Sequence, residues 1–264
     1  MAGVSIDEVW DDARGFFVRE RALVLPIGFA TFGLAALLGG LVVPAPEPPA
    51  KEIPPGPWVF ALIPILLLIL TGYLSLSRIA LRPQISVAEG LRDALRLLPR
   101  GIGLLFAMGA VMVGLSLVAG IFVGLLSVVA GIAQQAMLLL ALAVFAPPAV
   151  VVSIRFALLW PTLADQEGTI RETFIRGVAI TRGHAVKILG VLVAYLMLYL
   201  LLVAVLESAL GLVLIVISRM AGLPALGPLL VTVLLAAFNA IYMSFWTIFL
   251  ARLYARLAWP QGRG

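Results

Sequence analysis

Few side chains in this sequence could do chemistry. Glu207 is the carboxylate set inside an apolar run, LLVAVLESALGLV. An ionisable group in hydrocarbon is costly, and by default it marks a proton or solute relay. The competing role is structural, at the interface. Glu207 lies about 20 residues, roughly 30 Å, beyond the start of its run, so it is expected near the outer interface rather than the midplane. Asn239 in the last apolar run could serve as its hydrogen-bond partner, since polar groups in hydrocarbon seek one another. His184 is the single histidine and follows Thr181-Arg-Gly183. With no cysteine and only scattered carboxylates, it has no partners for a clustered metal site, and it reads as an interfacial histidine near headgroups. No nucleophile elbow, P-loop or dinucleotide fingerprint occurs; GIGLLFAMG is apolar span sequence. No catalytic residue, cofactor or metal is expected.

The remaining chemistry is arginine. TIRETFIRGVAITRG, residues 169–183, sits between two apolar runs, and related stretches occupy Ser5–Arg19 and Ser86–Arg100. Each opens Ser/Thr-x-x-Glu, as Ser5…Glu8, Ser86…Glu89 and Thr169…Glu172. That is the capping-box pattern, in which hydroxyl and carboxylate satisfy each other's backbone N–H groups. Each then has helical amphipathicity. The expected apolar faces are Ile6, Val9, Trp10, Ala13, Phe16 and Phe17; Val87, Leu91, Leu95 and Leu98; and Ile170, Phe174, Val178 and Ile180. Each ends on a basic residue: Arg19, Arg100 or Arg182. These helices should lie in the interface plane, apolar side on lipid or bundle and polar side toward headgroups and cytosol. Arg100, Arg171, Arg176, Arg182 and His184 are the expected contacts to a headgroup or partner.

The elements that position these residues follow from composition. The 264 residues are 63% hydrophobic and 12% charged, far from a soluble domain. Six segments are long enough to cross a bilayer: about 22–43, 58–77, 101–129, 135–158, 186–217 and 224–250. Sixteen of eighteen basic residues fall in the N-terminal segment or in residues 78–100, 155–187 and 252–263; Lys51 and Arg219 are the exceptions. The positive-inside rule then places both termini in the cytoplasm. The acidic N-terminal segment and long first apolar run argue for an uncleaved first span. The first outer loop has seven prolines in residues 44–57, a semi-rigid polyproline spacer. Pro147–Pro148 should kink the fourth span. Gly120-x-x-x-Gly124, with Gly109 and Gly114, should allow close packing of the third. The net charge of +5 is dispersed through loops, which gives no nucleic-acid footprint.

The inward runs share an ending: RIALRP (78–83), RFALLWP (155–161) and RLYARLAWP (252–260). The chain thus reads as an all-α polytopic membrane protein in one domain. Six transmembrane helices form three pseudo-repeated hairpins, each preceded by a cytoplasmic amphipathic helix, at about 1–83, 84–161 and 162–260. Internal repeats argue for pseudo-symmetric packing. Arginine, alanine, glycine and leucine richness fits a GC-rich bacterial genome, and hence a bacterial inner membrane.

The stretch RFALLWPTLADQEGTIRETFIRGVAITRGHAVKILG resembles the glycerophosphoryl diester phosphodiesterase membrane-domain family and the related YciC-like six-span proteins. The likeness lies in the arginine-ended span, a proline, Glu167–Gly168, a helix with Arg176 and Thr181–Gly183; Gly177 and Ile180 depart from it. It implies a six-span layout only, because that family's phosphodiesterase activity belongs to a soluble barrel for which this chain has no room. The expected role is a non-enzymatic scaffold or accessory subunit, acting on a cytosolic or membrane partner through its amphipathic helices. The alternative is a small transporter or lipid-handling protein with a site near Glu207, Asn239 and the Pro147–Pro148 kink.

Overall fold

The computed structural model describes residues 5–44, 56–82, 84–130, 134–165 and 168–259. Most of the proline-rich loop with Lys51, the turn after Ala130, and Pro83, Glu167 and Pro260 lie outside the described residues. The described elements are helices: α1 (Ile6–Arg19), α2 (Arg21–Val42), α3 (Trp58–Leu81), α4 (Val87–Ala130), α5 (Gln134–Phe156), α6 (Leu159–Asp165), α7 (Ile170–Thr181), α8 (Ala185–Met220) and α9 (Leu226–Ala258). Six of them, α2 to α5, α8 and α9, are long and apolar enough to cross a membrane. Two carry a π-helical turn, Phe29–Gly33 in α2 and Leu206–Gly211 in α8.

The amphipathic stretches meet their spans differently. Between α1 and α2 the helix breaks at Glu20, and between α7 and α8 it breaks at Arg182–His184, where Gly183 takes φ +81°. The second stretch does not form a separate helix. It runs unbroken into its span as the 44-residue α4, about 66 Å long. Pro99 lies within α4 on an exposed face, where a proline ring and a missing N–H disturb packing least. Likewise α5 continues through Pro147–Pro148, and the chain breaks only at Ala157–Leu158.

Two of the expected capping boxes form. Glu172 Oε2 accepts from the Thr169 N–H at 2.9 Å, and Glu89 Oε2 from that of Ser86 at 2.8 Å; the two hydroxyls accept in return. Ser5 makes no such bond. Its would-be partner Glu8 is drawn 3.0 Å from Arg256 on α9 instead.

Burial is concentrated at one end of the bundle. In α3 no residue before Leu70 is fully buried, and nearly all of Leu70–Leu81 is. At that end α1 lays Val9, Ala13 and Phe16 into the core, as its periodicity predicts. Trp10 and Phe17 close edge-on against Phe245 of α9, centroids 4.8 and 5.8 Å apart. The third stretch packs by the side its periodicity predicts, whereas the second packs partly by a different one. In α4 as far as Leu104 the buried positions are Gly90, Ala94, Leu97, Gly101 and Leu104, while Leu91 and Leu95 stay exposed. In α7 they are Thr173, Gly177 and Thr181, with Ile170, Phe174 and Ile180 half-buried against the core beside them. A Cβ on Gly177 would fall 2.5 Å from Leu159 Cδ2. Small residues admit the neighbouring helix, and Leu91, Leu95 and Ile175 are left facing outward.

The same rule relocates the close helix contacts. A Cβ added to Gly109, Gly114, Gly120 or Gly124 would meet nothing within 4 Å, so the third span is not packed through them. The tight crossing is α2 on α9. A Cβ on Gly28 would collide with Ser244 Oγ, one on Gly33 would lie 3.1 Å from Ala240 Cβ, and one on Gly40 2.6 Å from Thr232 Cγ2. Gly28→Val should therefore cost about 1–3 kcal/mol by overpacking. Gly120→Ala should be neutral or gain up to about 1 kcal/mol from helix propensity. Thermal unfolding of both variants in detergent checks this, and equal stability would refute the assigned crossing.

Candidate functional site

Two polar constellations stand out, one at each end of the bundle. At the buried end, each arginine that closes an inward span meets an amphipathic stretch. Arg78 at the end of α3 pairs through Nε with Asp93 of α4 at 3.1 Å, and donates to the Ala164 carbonyl of α6. Arg155 at the end of α5 donates to Thr181 Oγ1 of α7 at 2.9 Å. Arg252 in α9 stands over the Phe16 ring of α1, 4.5 Å from its centroid, and 3.9 Å from Asp12. Asp12 and Asp93 occupy equal positions after Ser5 and Ser86. The corresponding residue after Thr169 is Arg176, which explains why Arg155 binds a hydroxyl rather than a carboxylate.

The short helix α6 sits among these contacts. Leu158, Leu159, Leu163 and Ala164 are wholly buried. Trp160 stacks on Tyr73 at 5.9 Å, and Asp165 Oδ2 accepts from the Tyr254 hydroxyl at 2.8 Å. Its apolar content merges with the preceding run, so only the Trp160–Pro161 pair hints at a separate element.

The expected contact residues are not gathered in one patch. Arg176 turns inward beside Tyr254 and Asp165. Arg171 and Arg182 are exposed. Arg182 borders a cleft of about 340 Å³ walled by Phe174, Ile175, Val178 and Ala179. His184 precedes α8, with Nδ1 3.3 Å from the Arg182 carbonyl oxygen. Arg100 lines a different cleft, of about 350 Å³, with Arg78, Asp93, Arg96 and Leu97.

The second constellation lies toward the far end, between α2, α8 and α9. Glu207 and Asn239 line one crevice of about 220 Å³. Tyr199, Val203 and Glu207 recur every fourth residue along α8, so they share a face. Thr232, Ala236 and Asn239 face them from α9, and Ala36 and Gly40 from α2. Glu207 lies in the π-helical turn Leu206–Gly211, and such turns are frequent at functional positions. Asn239 Nδ2 donates to the Tyr199 hydroxyl at 3.3 Å rather than to Glu207. Pro147 and Pro148 do not line this crevice.

An aromatic seam continues from the crevice toward the buried end. Tyr195 and Tyr242 each donate a hydroxyl to the other's backbone carbonyl, the first at 2.5 Å. Tyr195 stacks on Trp246 at 4.0 Å, and Tyr199 on Phe238 at 6.0 Å. A tyrosine hydroxyl within a span needs an acceptor, so Tyr195, Tyr199 and Tyr242 were the available sequence signal for this seam.

Arg78 carries the largest structural share of the buried end. Its side chain is 6% exposed, and removing it strands both Asp93 and the Ala164 carbonyl. Arg78→Met should cost about 3 kcal/mol, while Arg256→Ala, in an exposed pair, should cost less than about 1 kcal/mol. Detergent melting curves check the contrast, and an equal loss for both would overturn it. Comparison of the chain with protein-family models, with curated proteins and with solved structures finds no match in any of the three.

Proposed function

We propose that this chain is a non-enzymatic, multi-pass lipid-handling protein that takes the polar head of a bilayer amphiphile into the crevice between α2, α8 and α9. The observation that carries this reading is the placement of Glu207, Asn239, Thr232 and Tyr199 together on a mostly apolar wall. Its volume of about 220 Å³ suits a headgroup, with acyl chains left in the bilayer. A carboxylate with amide and hydroxyl groups beside it favours a head with an ammonium or hydroxyl donor.

A second reading, the scaffold or accessory subunit, draws on the cleft beside Arg182. It has less support, because α1 spends its apolar face inside the bundle.

We further read the chain as three related units, about 1–83, 84–161 and 162–260, because each closing arginine meets the amphipathic stretch of the next: Arg78 at Asp93, Arg155 at Thr181 and Arg252 back at Asp12. We also infer that this end faces the cytoplasm of a bacterial inner membrane, with both termini inside; the excess of basic residues in the loops at this end supports that orientation.

Two measurements test these readings. Protein extracted from native membranes in polymer nanodiscs should carry one amphiphile enriched over the bulk lipid. Glu207→Gln should lose most of it at unchanged melting temperature. Equal retention by the variant, or no enrichment by the native chain, would sink the lipid-handling reading. A stoichiometric protein in its place would favour the accessory subunit. Orientation is testable because the chain has no cysteine. An impermeant maleimide should label Ala225→Cys in intact cells and Ala88→Cys only after lysis; the reverse pattern would invert the topology.

A further inference from the structure

We propose that the cleft at the junction of α3 and α4 is a binding site for a phosphate group at the membrane surface, separate from the Glu207 crevice and independent of the reading given to it. The cleft, about 350 Å³, is walled by Arg78, Asp93, Arg96, Leu97 and Arg100. Three guanidinium groups face one carboxylate, which leaves a net charge of +2. That carboxylate is already engaged, since Asp93 Oδ2 accepts from Arg78 Nε at 3.1 Å. Among the described residues, Arg96 and Arg100 have no ion-pair partner. Both are exposed, and they stand one helical turn apart on the same face of α4. The helix beneath them is held in place: Ala94, Leu97 and Leu104 are buried, and the Arg78–Asp93 pair ties it to α3.

The fit to phosphate is chemical as well as electrostatic. Guanidinium groups present paired N–H donors that match phosphate oxygens two at a time. A phosphomonoester carries a charge near −2 at neutral pH, which the surplus here would balance. Arg100 is followed directly by Gly101 and an apolar run to Ala130, so the cleft lies where the helix passes from water into hydrocarbon. The phosphate could therefore belong to a lipid headgroup or to a free anion.

The test uses the full chain purified in detergent, with native mass spectrometry and thermal unfolding as readouts. The probes are phosphatidic acid, phosphatidylcholine and inorganic phosphate. The variants are Arg96→Gln/Arg100→Gln, Arg96→Lys/Arg100→Lys and, as control, Arg92→Gln, which alters an exposed arginine of α4 outside the cleft. Phosphatidic acid should be retained over phosphatidylcholine. The double glutamine variant should lose about tenfold or more of that retention, the lysine pair should keep an intermediate share, and Arg92→Gln should keep all of it. Displacement of phosphatidic acid by millimolar inorganic phosphate, with a raised melting temperature, would assign the site to a free anion; no displacement would assign it to a lipid head. Equal retention by native and double glutamine protein would overturn the proposal. So would a loss in Arg92→Gln as large as in the double variant, because that would mean diffuse charge attraction and no site. The double variant should melt like the native chain, since neither side chain is buried.

Discussion

The bundle depends on the disposal of three arginines. Arg78, Arg155 and Arg252 come at the ends of spans, where the chain leaves hydrocarbon, and all three are drawn into the protein rather than out to water. A guanidinium cannot be neutralised at ordinary pH, so each such position must be supplied with acceptors. The supply comes from the amphipathic stretches and from α6. Asp93 and the Ala164 carbonyl serve Arg78, Thr181 serves Arg155, and Asp12 with the Phe16 ring serves Arg252. Even so, Arg252 Nε is left buried without a partner, an orphan that the cation–π contact only partly offsets. Anchoring α1, α4 and α7 to these arginines ties the starts of three spans to the ends of the other three.

The consequence is a bundle with unequal ends. About a third or more of the most apolar window of the first two spans is buried, against 6% for the fourth and fifth. Within a bilayer there is no hydrophobic force to close the looser end, because lipid tails are as apolar as the side chains they would replace. Contact there rests on shape, which glycine supplies between α2 and α9 at Gly33 and Gly40 and between α8 and α9 at Gly227. The polar groups at that end therefore satisfy one another across α8 and α9, through Tyr195 with Tyr242 and Tyr199 with Asn239, and Glu207 is left at a crevice open to the bilayer.

The two polar constellations are thus built on opposite principles. The arginine end is preorganised: α4 is held through Ala94, Leu97 and Leu104, and the one carboxylate in the α3–α4 cleft is already paired. The Glu207 side chain sits on α8, a span with only 6% of its most apolar window buried, where local opening costs little.

Length and hydropathy were sufficient to place six spans, because crossing hydrocarbon demands about 20 apolar residues whatever the neighbours are. The three Ser/Thr-x-x-Glu signals marked the right helix starts, and Glu207 and Asn239 do share a crevice. What the sequence alone could not give was the choice among competing partners. Glu8 had a capping role available, and Arg256, distant in sequence, took it. The large apolar face of the Thr169–Arg182 stretch does pack, through Ile170 and Phe174. That of the Ser86–Arg100 stretch looked equally like a packing surface, yet Leu91 and Leu95 stay exposed and the helix approaches through Gly90, Ala94 and Leu97, because in a membrane large side chains gain as much from lipid as from protein. Gly120 and Gly124 had the spacing of a close contact and meet nothing, while Gly28, Gly33 and Gly40, with a π-helical turn interrupting their register, line one. Local pattern determines which segments become helices and which enter the bilayer. Which face meets which neighbour is a difference between nearly equal options, and only the assembled tertiary structure decides it.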